Sequence, residues 1–152
     1  MAKSLQDTAL MAAVVGAGAL LPLQALINAR LGAKLASPLW AAAAQNFVGV
    51  LAMLCVIALM RPPTPTLGQV GATPLWAWAG GAMGMVYVFS VLIAAPQLGA
   101  ARAMTAAVVG QLLCSMLLDH FGVLHERRPI SLATLAGVAL LAGGAALILR
   151  RA

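Results

Sequence analysis

Acidic side chains are nearly missing from this chain. Asp7, Asp119 and Glu126 are the only carboxylates among 152 residues, and charged residues of both signs make up 8%. A water-soluble domain carries about one quarter charged residues, so a soluble fold is excluded before any pattern is read. No Asp, Glu or Lys falls at the centre of a long apolar run. A proton-coupled exchanger of cationic compounds needs a mid-membrane carboxylate to bind proton and substrate in competition, and that device is lacking. Cysteine is equally scarce. Cys55 and Cys114 both lie in apolar segments, where a thiol serves as a small hydrophobe, so neither a disulfide framework nor a metal site is expected. His120 and His125 have too few further donors near them in sequence to ligate a metal. The sequence offers no paired nucleophile and base, no HExxH and no carboxylate dyad, so enzyme chemistry and a cofactor are not expected.

What the chain does have is hydrocarbon: 63% apolar residues and a mean hydropathy of +1.02. The net charge of +6 comes from nine Lys and Arg set singly or in pairs between apolar runs. That is the pattern of basic membrane loops, and no nucleic-acid partner is expected. Lys3 precedes an apolar stretch, as in a signal peptide, but the stretch continues to Arg30 without a clean small-residue cleavage site and reads as a retained helix.

About 20 residues of helix cross about 30 Å of hydrocarbon. Five segments satisfy that length: Thr8 to Ala29, Leu39 to Met60, Pro74 to Ala95, Ala100 to Leu118 and Ser131 to Leu149. The expected architecture is therefore an all-α integral membrane protein, one transmembrane domain over residues 1–152. Ser37-Pro38 opens the second span, Arg61-Pro62-Pro63-Thr64-Pro65 closes it, and Pro129-Ile130-Ser131 opens the fifth, because proline is tolerated in a first helical turn. Trp40, Trp76 and Trp78 fall near helix ends, where aromatic belts form. The longest loop, Arg61 to Thr73, leaves no room for a soluble active site.

Orientation follows from the basic residues of short loops. One face carries Lys3, Arg61, Arg127 and Arg128; the other carries Arg30, Lys34, Arg102, Arg150 and Arg151. Four against five is too small a bias to fix one orientation, which implies insertion both ways and an antiparallel homodimer. The competing reading is a single orientation set by features other than this count, such as Arg30 and Arg102 lying partly within helices. Many secondary transporters consist of two inverted repeats around a midplane site. No internal repeat is visible here, so one chain would supply one repeat.

Polar residues within spans are costly and face the bundle interior. Gln24 and Asn28 share a helical face, and Pro22, one turn away, cannot donate to the Gly18 carbonyl. With Gly16 and Gly18 nearby, the first helix is expected to kink or open locally, placing two amides and a free carbonyl near mid-membrane. Asn46 and Gln111 are further candidates to contact a polar, neutral or zwitterionic solute, since amides both donate and accept. Each amide also suits a purely interhelical hydrogen bond, the favoured reading for Gln45. Tyr87 and Ser90 share a face and would add an aromatic wall and a hydroxyl; the alternative is simple packing. Asp119 and His120 are the best remaining titratable pair, with capping of the helix end or pairing to Arg127 or Arg128 as their expected role. Gly80 with Gly84, Ala106 with Gly110, and Gly137, Gly143 and Gly144 provide small-residue surfaces for close helix contact.

Several segments together carry a family resemblance: GALLPLQALINARLG in the first helix, SPLWAAAAQNFVGV opening the second, GQLLCSMLLDHFG in the fourth and RPISLATLAGVALLAGG in the fifth. In order and spacing they resemble the YdcZ-like family of the drug/metabolite transporter superfamily, small five-helix proteins of the bacterial inner membrane, over nearly the whole chain. The resemblance implies a half-transporter, one inverted-repeat half of a ten-helix assembly, and supplies no substrate. The expected function is secondary transport of a small organic solute by an antiparallel homodimer through alternating access. The alternatives are a non-transporting small membrane subunit and one half of an obligate heterodimer; the near-equal charge counts argue against the latter.

Overall fold

A computed structural model describes residues 2–124 and 126–150, with side chains from residue 5 onward; the Lys3 side chain, His125 and Arg151 lie outside the described residues. The helices are α1 (Ala2–Lys34), α2 (Pro38–Met60), α3 (Leu67–Ala72), α4 (Ala79–Leu98), α5 (Ala100–Phe121) and α6 (Leu132–Leu149), with a 3₁₀ turn at Leu75–Trp78 leading into α4. Five of these segments are long and apolar enough to cross a membrane: Leu5–Lys34, Pro38–Met60, Leu75–Leu98, Ala100–Phe121 and Leu132–Leu149.

The helix ends follow local chemistry. Ser37 caps α2 through its Oγ, which accepts from the Leu39 N–H at 3.2 Å, and Pro38 occupies the first turn. Arg61 ends α2 in the left-handed region at φ 48°, immediately before Pro62 and Pro63. Ser131 caps α6 through the Thr134 N–H at 3.1 Å. α5 ends on Gly122 at φ +67°, and a Cβ there would sit 3.1 Å from Arg127, so only glycine fits.

Three expectations are corrected. The first helix is longer than Thr8 to Ala29 and runs unbroken through Pro22. Proline removes one hydrogen bond, but the neighbouring amides have no other partner in hydrocarbon, so the helix persists instead of opening. The long second loop contains α3, closed by a capping box in which Gln69 N–H donates to Thr66 Oγ1 at 3.2 Å and Thr66 N–H donates to Gln69 Oε1 at 2.8 Å. The expected loop between the third and fourth spans shrinks to Gly99 alone, at φ +86°, because α4 continues past Pro96 to Leu98.

The chain forms two compact units, Met1–Ile93 and Ala94–Ala152. In the first, α1 packs on α2, and Ala41, Ala42 and Leu92 make a buried cluster against which Leu31 and Phe89 lie. In the second, α5 packs on α6, and Ala103 and Ala145 are buried. Buried positions are mostly alanine because small side chains let helix backbones approach in a solvent that gives no hydrophobic drive. Gly32 shows the closeness: a Cβ added there would meet Pro38 Cα at 3.4 Å and Ala41 Cβ at 3.6 Å.

Gly32→Leu therefore overpacks the α1–α2 joint and lowers stability by about 1–3 kcal/mol, read by thermal melting of the detergent-solubilised protein. Gly16→Leu, whose Cβ meets nothing within 4 Å, leaves the melting temperature unchanged.

Candidate functional site

Small side chains bring α1 and α2 close enough for amides to meet across them. Asn28, buried on α1, donates through Nδ2 to Gln45 Oε1 on α2. The pair lies one turn from the Leu31, Ala41 and Ala42 cluster, since Asn28 and Leu31 share a face of α1 and Gln45 follows Ala41 by four on α2. Six residues separate Asn28 from the end of α1, which puts the amides about 10 Å from the α1–α2 turn. They therefore sit nearer the C-terminal end of α1 than its middle.

The pairing leaves Asn28 Oδ1 and the Gln45 Nε2 group without partners among the described residues, one acceptor and one donor side by side. Gln24, one turn before Asn28, is exposed. Asn46 is also exposed, but its Nδ2 donates to the Ala42 carbonyl of its own helix at 2.8 Å. On α4, Tyr87 is half-buried and Ser90 Oγ donates to the Val86 carbonyl at 2.8 Å. Backbone bonding of this kind satisfies a hydroxyl within its own turn and leaves its lone pairs for other donors. The first unit thus brings Asn28 to Gln45 and does not join Asn46 or Ser90 to them by a hydrogen bond. Gln111 belongs to the second unit and is exposed on α5.

Gln45, read from the sequence as a structural amide, is the residue that completes the polar pair. Its position three to four residues after two small alanines was the available signal. At the far end of α5, Arg127 Nε donates to the His120 carbonyl at 2.8 Å and the Arg128 N–H donates to the Asp119 carbonyl at the same distance. Both arginines return to this helix end through backbone acceptors. Among the described residues no group of three or more His, Cys, Asp and Glu forms a metal cluster.

Interhelical hydrogen bonds between spans contribute about 0.6–1.7 kcal/mol. A double-mutant cycle on Asn28→Leu and Gln45→Leu, read as detergent unfolding, should return a coupling energy in that range; additive effects would show that the amides do not support one another.

The family model described as "Putative inner membrane exporter, YdcZ" matches residues 9–147. Comparisons with curated proteins and with solved structures gave no match. The matched stretch contains all of α2 to α5 and most of α1 and α6, so the four motif segments lie within one match that spans all five membrane-length helices. With five membrane-length helices and this match, the chain is a multi-pass inner-membrane protein of the transporter class, and it belongs to the YdcZ family.

Proposed function

We propose that the chain is one half of a secondary transporter for a small polar organic solute, completed by a second copy of itself in the opposite orientation. The observation that carries this reading is the combination of five spans with basic residues divided four against five between the two faces. An odd number of spans puts the termini on opposite sides, and so small a bias lets both orientations insert. Two inverted copies then reproduce the inverted-repeat plan on which alternating access operates.

The small-residue surfaces support an assembly. A Cβ added at Gly80, Gly84, Gly110, Gly137 or Gly143 meets nothing within 4 Å, so these faces are open to close approach by another helix. The unsatisfied acceptor and donor of the Asn28–Gln45 pair, with Gln24 beside them, suit a neutral or zwitterionic solute that hydrogen-bonds in both senses. Asn46, Tyr87, Ser90 and Gln111 are the further candidate contacts. The carboxylates on the spans lie at helix ends, Asp7 near the start of α1 and Asp119 near the end of α5. Solute recognition then rests on hydrogen bonding, and coupling does not use a carboxylate in the span.

Topology tests the assembly without knowledge of the solute. Thr64→Cys in the exposed loop after α2, in a background with Cys55 and Cys114 replaced, is labelled in intact and permeabilised cells with an impermeant thiol reagent. About half of the molecules should label from outside; all or none would mean one orientation and a different partner chain. A variant with two added N-terminal Lys should fail to dimerise alone and should recover the dimer when co-expressed with an oppositely biased variant. For the site, Gln24→Leu should lower export of the transported solute by about tenfold or more, found by comparing exported metabolites, with the dimer retained. That corresponds to losing one well-placed hydrogen bond of about 1.4 kcal/mol.

A further inference from the structure

The second unit holds a feature that none of the proposed solute contacts lines. Between α5 and α6 runs an open groove of about 360 Å³, walled by Thr105, Val108 and Val109 on one side and Leu141, Gly144 and Ile148 on the other. Its lining runs from Met104 to Val109 on α5, about 8 Å, and from Leu140 to Ile148 on α6, about 12 Å, and is mostly hydrocarbon. Just beyond this lining, Arg102, in the first turn of α5, donates from Nη2 to the Leu149 carbonyl at the end of α6 at 3.0 Å. Arg102 and Thr105 share a face of α5, so the guanidinium lies at the mouth of the groove.

Charge decides what fits there. Arg102 is partly buried, its Nε has no hydrogen-bond partner, and among the described residues it has no acidic partner. The carboxylates of this unit, Asp119 and Glu126, are at the other end of α5; Asp119 is seventeen residues away, about 25 Å along the helix. The buried Nε therefore keeps a donor free for an acceptor at the membrane surface. An anionic group at headgroup depth, attached to something that fills an apolar channel running inward from it, would meet both the guanidinium and the groove.

We infer that this groove binds an anionic phospholipid, one acyl chain lying between α5 and α6 and the phosphate meeting the Arg102 guanidinium. Lys or Arg near a membrane surface contributes about 1 kcal/mol toward an anionic lipid, roughly a fivefold preference. The hydrogen bond to Leu149 holds the guanidinium across the end of the seam, and the arginine's planar fork suits a phosphate better than an ammonium would.

Native mass spectrometry of delipidated protein in detergent, titrated with phosphatidylglycerol or phosphatidylcholine of the same chains, tests this. The wild type should bind one phosphatidylglycerol about fivefold more tightly than phosphatidylcholine. Arg102→Gln should abolish that preference, and Arg102→Lys should restore part of it. Gly144→Leu, at a position where an added Cβ meets nothing within 4 Å, should fill the groove and weaken both lipids with the melting temperature kept. Equal binding of the two lipids by the wild type, or a preference that survives Arg102→Gln, overturns the inference. So does a Gly144→Leu variant that loses its dimer while keeping its lipid, because the groove would then receive a second copy of the chain.

Discussion

Hydrocarbon offers no hydrogen-bond partner to a peptide group, and each unpaired N–H or C=O left in it costs several kcal/mol. Every long segment of this chain therefore closes its own backbone bonds as a helix, and the places where helices stop are the places where a side chain or a left-handed residue can finish the account. Ser37, Thr66 and Ser131 supply oxygens to the first amides; Arg61 and Gly122 turn the chain at the last carbonyls. Even Pro22 does not interrupt α1, since an opening there would strand its neighbours. The same constraint governs the polar side chains. Asn46, Ser90 and Thr105 bond to carbonyls one turn back in their own helices, while Asn28 reaches across to Gln45.

Where apolar burial gives no drive between helices, proximity has to come from geometry. Ala41 and Ala42 let α2 lie against α1, and that approach is what allows two amides to meet. The polar pair is thus a product of small residues as much as of the amides. In the second unit, Ala103 and Ala145 let α5 and α6 approach, and Arg102 spans the seam at its end.

The spans were legible in the sequence because length and the absence of charge are properties of single segments. Ends marked by proline and serine were placed within a few residues. Boundaries without such marks shifted: α1 gains five residues beyond Ala29 because Arg30 and Lys34 are long enough to reach the surface from within a helix. α3 was missed although Thr66 and Gln69 have the spacing of a capping box, because the prolines around them read as loop. The candidate site was legible only as a set of residue types. Which amide pairs with which depends on the rotation of α1 against α2, and no single segment encodes that.

A core of alanines also has a calorimetric meaning. The heat capacity change of unfolding arises from apolar surface passing into water. Here Leu92 is the largest of the buried apolar side chains, and separating the helices would pass mainly methyl groups into lipid. The opening of these helix pairs should consequently have a heat capacity change close to zero. Its free energy then runs almost straight with temperature, and the pairs have no temperature of greatest stability and no cold-induced separation.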